Sequence, residues 1–97
     1  MAIVVVSRWK GPSDLSLARG AAPLFKKHGA ITAYVGTCYS GQNAGQHEVA
    51  LVYPDWEIYG NGMQTMAADP DYQRLLADAI AGFDLQDRRI IVSDQIL

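Results

Sequence analysis

The sequence lacks a basic cluster and a long apolar run. Eight Lys and Arg residues stand against ten Asp and Glu residues, and no more than two basic residues are adjacent. Nucleic-acid and anionic-membrane binders concentrate positive charge to neutralise phosphates, so neither nucleic acid nor a membrane is the expected partner. The apolar runs are much shorter than the roughly 20 residues that span a bilayer, so we predict no transmembrane helix.

The sequence also has little cysteine and histidine. Its one cysteine, Cys38, cannot form an internal disulfide, which suits a reducing compartment. The chain opens directly on β-branched residues without a basic segment and cleavage site, so we predict no signal peptide and a cytoplasmic protein. The two histidines, His28 and His47, lack metal-ligand spacing, so we expect no metal site.

The apolar residues predict the order of secondary structure. Hydrophobic residues make up 49% of the 97-residue chain, which is typical of one globular domain spanning residues 1–97. Alternating or β-branched runs predict strands at 2–9, 30–40, 47–53 and 88–96, and helical periodicity predicts helices at 13–28 and 54–80. This βαββαβ order predicts a ferredoxin-like α+β sandwich, with four antiparallel strands and the helices on one face.

The second helical region is predicted to break once and resume. Asp55 is placed to cap its start, and Asp69 with Pro70 to restart it, because proline in the first turn needs no amide partner. In the first helical region, Pro23 is expected to kink the helix or to mark a restart. Residues 84–87 read as a turn before the last strand.

The strands are apolar at both odd and even positions, and therefore on both faces of the sheet, which predicts a homodimer. The runs at 3–6, 49–52 and 90–92 would place apolar side chains on the sheet face that the helices leave uncovered. A second copy of the chain is the simplest cover, since most soluble oligomers are symmetric homo-oligomers. The alternative is a monomer in which Tyr and Thr hydroxyls make the outer face tolerable to water.

Segments 22–30, 53–56 and 68–73 resemble the dimeric α+β barrel superfamily, which includes antibiotic-biosynthesis-type monooxygenases and NIPSNAP-like proteins. The chain looks most similar to the uncharacterised NIPSNAP-like branch. The resemblance covers essentially the whole chain and implies a dimeric α+β barrel. We expect the protein to bind no cofactor.

Haem degradation is disfavoured by the same resemblance. Haem-degrading members use a strand-one asparagine, together with a histidine and a tryptophan in the second helix. Here Ser7 lies on strand one, and the second helical region has no histidine, although Trp56 compares loosely with that tryptophan. Cofactor-independent quinol oxidation needs only a pocket with a few polar groups and stays open.

A ligand pocket is expected between the helices and the sheet. Its candidate lining residues are Trp56, Tyr59, Met63, Tyr34 and Trp9. The alternative is that these side chains are ordinary core. The helical glycines Gly60 and Gly62 either make room for a ligand or allow close packing, and the packing interpretation is favoured.

The candidate catalytic residues are His28 and Arg89. His28 could act as a base near neutral pH, but it also suits the negative end of a helix, which is the favoured interpretation. Arg89 could hold an anionic or enolate oxygen, but a surface role is favoured. His47 is expected to be exposed and Cys38 to be a small buried hydrophobe.

Two functional hypotheses remain. The first is a cytoplasmic homodimer that binds a small apolar or aromatic ligand, with cofactor-independent monooxygenase-like or isomerase-like chemistry. The second is a non-catalytic structural or interaction module in which the dimer is the whole product. The sequence does not decide between an enzyme and a non-enzyme.

Overall fold

A computed structural model describes residues 1–94 as one antiparallel sheet with three helices. The strands are β1 (Ala2–Lys10), β2 (Thr32–Thr37), β3 (His47–Tyr53) and β4 (Asp84–Ser93), and the helices are α1 (Ser16–Lys27), α2 (Trp56–Ala67) and α3 (Pro70–Gly82). The strand order is β2-β3-β1-β4, and each neighbouring pair is antiparallel. The predicted ferredoxin-like α+β fold is therefore confirmed, with the second helical region divided into α2 and α3.

One face of the sheet carries the core. Val5 pairs with Leu51 of β3 and Ile90 of β4, and side chains at paired positions share a face. The buried cluster on this face is Ile3, Val5, Ala30, Leu51 and Tyr53, with Phe25, Tyr59 and Met63 packed against it. The core is thus one buried layer, formed by apolar residues of the helices and by alternate residues of the strands.

The opposite face is also apolar at its centre. Val4 pairs with Val52 and Ile91 in one row across three strands. Tyr34 on β2 is 56% exposed and Ile91 is 46% exposed, so large apolar side chains of this face meet solvent in the single chain. We call this surface, centred on Val4, Val52, Ile91 and Tyr34, the outer sheet face.

Both predicted caps of the broken helix are present. An Asp55 carboxylate oxygen accepts a hydrogen bond from the Ile58 amide at 2.8 Å, and Asp69 accepts one from the Asp71 amide at 2.9 Å. Pro70 is the first residue of α3. Each aspartate satisfies an amide that the first helical turn leaves without a partner.

Helix α1 continues through Pro23, so the restart that was one of its two predicted outcomes does not occur. A proline deprives the carbonyl four residues earlier of its helical donor. Here that carbonyl belongs to Arg19, and both residues are exposed, so water can serve as the donor. The cost of the proline is lowered by its position on the solvent side.

The predicted turn at residues 84–87 is wrong, because these residues begin β4. Asp84, Leu85 and Asp87 pair with the end of β1, and a register shift between Arg8 and Trp9 absorbs the irregularity. Since β4 is an edge strand, its polar side chains can reach water while the backbone still pairs. The predicted end of this strand, at residue 96, lies outside the described residues. Within those described, no helix is long and apolar enough to cross a membrane.

Candidate ligand-binding cavity

A cavity of about 240 Å³ lies between the helices and the sheet. Much of its wall is apolar, including Val5, Val49 and Leu51 from the sheet and Phe25, Met66 and Leu75 from the helices. The strand residues reach it because alternate positions of β1 and β3 face the helices. The helical residues reach it because they recur at intervals of three and four. The arrangement can hold an apolar molecule.

A few polar side chains interrupt this wall, including Ser7, Trp9 and Arg88. The Trp9 indole nitrogen donates a hydrogen bond to the Ser7 hydroxyl at 2.9 Å. Arg88 pairs with Ser7 across the β1–β4 ladder, and its guanidinium donates to the Tyr59 hydroxyl at 3.1 Å. Polar groups of strands β1 and β4 therefore lie side by side at one part of the cavity.

His47 also lines the cavity and is only 4% exposed, so the expectation that it is exposed is wrong. Its Nε2 lies 2.8 Å from the Pro12 carbonyl oxygen, and its Nδ1 lies 2.9 Å from the Thr37 hydroxyl. Because a carbonyl only accepts, Nε2 carries the hydrogen and Nδ1 accepts from Thr37 in a neutral ring. The segment after β1 covers a histidine that the neighbouring polar loop would otherwise leave in water.

The structure brings together two of the five predicted ligand residues. Trp9 and Met63 line the cavity. Tyr59 lies beside the cavity. Its ring is 5.3 Å from that of Tyr53, and its hydroxyl accepts a hydrogen bond from Arg88 of the wall. Trp56, at the start of α2, is 49% exposed, and Tyr34 projects from the outer sheet face. Helical spacing alone did not separate the residues at the cavity from those beside it.

Neither predicted catalytic residue lines the cavity. His28 ties the helices together instead, since its Nε2 lies 2.7 Å from Asp69 and its Nδ1 lies 2.8 Å from the Thr65 hydroxyl. This His28 contact, followed by the Asp71 amide and Lys27, lowers the pKa of Asp69 to about 2. The cluster joins the end of α1 to the α2–α3 junction.

Arg89 lies on the outer sheet face, where it forms ion pairs with Glu48 at 3.8 Å and Asp87 at 3.6 Å. Its neighbour Arg88 lies on the cavity side, and sequence reasoning missed it. The signal that could have found it was alternation within the predicted strand 88–96, but residues 90–92 are apolar at both odd and even positions, so the sequence does not show which arginine faces the helices. Cys38, expected to be buried, is partly exposed and donates to the Ser40 carbonyl.

Tyr53 ends β3 and packs against Tyr59. Its side chain is fully buried, and its hydroxyl has no hydrogen-bond partner within residues 1–94. Burial raises the pKa of Tyr53 to about 12, with smaller contributions from Tyr59 and Tyr72. An unpartnered hydroxyl therefore lies near the same aromatic cluster that holds Arg88.

These features define a small ferredoxin-like α+β protein with an apolar cavity between its helices and its sheet. The chain belongs to the DUF6854 family, a domain family of unknown function, whose model matches residues 13–93. No curated protein matches the chain in sequence.

Solved structures confirm the predicted fold resemblance. SnoaB, a cofactor-independent oxygenase from Streptomyces nogalater, is 13% identical with a TM-score of 0.74, covering 99% of this chain and 96% of its own. A NIPSNAP family protein of unknown function from Agrobacterium tumefaciens is 8% identical with a TM-score of 0.64, covering 93% and 86%. A dimeric ferredoxin-like protein from an uncultured marine organism is 11% identical with a TM-score of 0.59, covering 97% and 98%. At these identities the likeness shows the fold.

Proposed function

We propose that the protein is a cytoplasmic homodimer that binds a small apolar or aromatic molecule in the cavity. We further propose that it acts on this molecule by cofactor-independent monooxygenase-like or isomerase-like chemistry. The observation that carries the proposal is the cavity itself, because an apolar space with a few convergent polar groups is the usual form of a small-molecule site. The likeness in fold to SnoaB, described as a cofactor-independent oxygenase, supports the choice of chemistry.

Such an oxygenation requires little from the protein. When O2 converts a substrate methylene to a carbonyl, one oxygen atom enters the product and the other leaves as water with both hydrogens. The substrate supplies all four electrons, so no external reductant is needed. The part left to this chain is to hold the substrate, exclude water and stabilise charge with groups such as Arg88 and the Trp9–Ser7 pair.

The dimer is proposed from the outer sheet face. Tyr34 and Ile91 expose large apolar surfaces there, beside the row formed by Val4 and Val52. A matching face on a second copy would remove this surface from water. The marine ferredoxin-like protein is described as dimeric, which supports a dimer. Light scattering is expected to give twice the 10.6 kDa mass of the chain.

The ligand is tested by a thermal-shift screen with quinols, phenols and lactones, followed by oxygen-consumption measurements on each hit. We expect a saturable rise in Tm that is lost in Ala79→Leu, which fills the cavity from α3. Ala77→Leu is the matched control, since Ala77 lies on the same helix, is exposed and does not line the cavity. Equal Tm shifts in both variants would place the ligand elsewhere.

The alternative is a non-catalytic structural or interaction dimer. It predicts the dimer mass with no Tm shift from any compound and no oxygen consumption. That combination of results would overturn the ligand proposal and leave the dimer in place.

A further inference from the structure

The charge of the cavity wall comes from one residue. Among the described residues, Arg88 is the only charged side chain in the wall, and no carboxylate lines it. Arg88, which is itself an exposed residue, therefore gives this mainly apolar wall a single positive charge.

The hydrogen-bonding capacity of Arg88 is largely unused. Its one side-chain hydrogen bond within residues 1–94 goes to the neutral Tyr59 hydroxyl, and it forms no ion pair there. The adjacent Arg89 is the opposite case, since Glu48 and Asp87 both balance its charge on the outer sheet face. Within residues 1–94, carboxylates thus lie beside the arginine outside the cavity, and none forms an ion pair with the arginine in its wall.

A second donor lies next to Arg88. The Ser7 hydroxyl accepts from the Trp9 indole, which leaves the hydroxyl hydrogen free to donate. Ser7 is the direct β-ladder partner of Arg88, and both line the cavity. A guanidinium fork and an oriented hydroxyl side by side are suited to an anionic oxygen, which accepts stronger hydrogen bonds than a neutral one.

We infer that the ligand is an apolar molecule bearing one anionic oxygen group, a carboxylate or an ionised phenol, that pairs with Arg88 and Ser7. This inference rests on the proposed function, because it assumes that the cavity is a ligand site. The apolar body of the ligand occupies the space between helices and sheet. The volume of about 240 Å³ lies a little below the roughly 300–1,000 Å³ of common ligand pockets, so the body is a medium-length chain or a small ring system.

The experiment compares matched anionic and neutral ligands. Decanoate is paired with decanol, and ionised 4-nitrophenol with 4-nitroanisole, with binding followed by tryptophan fluorescence and calorimetry. Hydrogen bonds to charged groups are stronger than those to neutral ones, so we expect about 10-fold tighter binding of the anion in one pair or both. Whichever pair shows the preference identifies the carboxylate or the phenolate as the recognised group.

Three variants assign the preference to Arg88. Arg88→Gln is expected to abolish the preference for the anion, and Arg88→Lys to retain part of it, since lysine keeps the charge without the fork. Arg89→Gln, one residue away on the other face, is the matched control and should retain the full preference. Circular dichroism verifies that each variant folds. If Arg88→Gln does not fold, the weaker anion preference expected of Arg88→Lys serves as the test.

The outcomes separate this inference from the function on which it rests. Equal binding of anionic and neutral partners overturns the inference and leaves an apolar ligand site. An equal loss in Arg88→Gln and Arg89→Gln also overturns it, because a general charge effect would then explain the preference. Absence of binding by all four compounds, together with a negative Tm screen, overturns the ligand site itself.

Discussion

Gly62 of α2 lies so close to the main-chain oxygen of His28 that a Cβ atom at this position would overlap it. The end of α1 and the middle of α2 therefore touch backbone to backbone, and the glycine is required for packing. Gly60, two residues earlier in the same helix, has no atom within 4 Å of such a Cβ. Of the two interpretations of these glycines, close packing holds at Gly62.

Gly62→Ala is expected to destabilise the protein by about 1–3 kcal/mol, the usual cost of overpacking a tight contact. Gly60→Ala should instead stabilise it by up to about 1 kcal/mol, because alanine is the better helix former and meets no neighbour. Urea unfolding of both variants gives the comparison. Equal effects of the two substitutions would contradict the close contact.

Tyr53→Phe is expected to change the free energy of unfolding by less than about 0.5 kcal/mol or to raise it. The Tyr53 hydroxyl is buried without a partner within residues 1–94, so its removal loses no hydrogen bond there. Tyr59→Phe is the control, because the Tyr59 hydroxyl accepts a hydrogen bond from Arg88. This control should lose about 0.5–1.5 kcal/mol. A larger loss at Tyr53 would show that its hydroxyl has a partner in solution.

Asp69→Asn is expected to lower stability in a pH-dependent way. The pKa of the Asp69 carboxyl is lowered from 3.8 to about 2, so the folded state favours its ionised form. The stabilisation is fully present above pH 3.8 and is lost as the pH falls through about 2. The variant cannot ionise, so its difference from the parent protein should shrink toward zero over this range.

Urea unfolding midpoints measured from about pH 5 down to about pH 2 test this expectation. Asp71→Asn is the control, because Asp71 pairs only loosely with Arg74, at 3.7 Å with both side chains exposed. A difference between Asp69→Asn and the parent protein that stays constant with pH would contradict the role of the Asp69 charge.

The fold was predictable because its helix caps and strands depend on residues that are close together in the sequence. Asp55 and Asp69 precede their helices at capping positions, and that chemistry depends on a few neighbouring residues. The apolar runs likewise predicted where the strands lie along the chain, because each run is a local pattern. The failure at residues 84–87 arose because polar residues in an edge strand have the composition of a turn, and only pairing with β1 distinguishes them.

The cavity was less predictable, since it depends on contacts distant in sequence. The expectation for His47 failed because Pro12, 35 residues earlier, covers it. Trp56 fits the helical stripe but lies at the start of α2, where the helix leaves it half exposed. Arg88 and Arg89 lie on opposite faces of β4, and the sequence does not show which face is which because residues 90–92 are apolar at both odd and even positions.

Ile91→Lys is expected to convert the proposed dimer to a monomer. Ile91 is 46% exposed on the outer sheet face, so a lysine there places a charge in the proposed interface at little cost to the single chain. Ile80→Lys is the matched control, because Ile80 is 65% exposed on α3 and lies outside the outer sheet face.

Light scattering should show Ile91→Lys near 10.6 kDa and both the parent protein and Ile80→Lys near twice that mass. A parent protein that is already monomeric would contradict the dimer. If Ile80→Lys alone dissociates, the copies associate through their helices, and the outer sheet face stays in water.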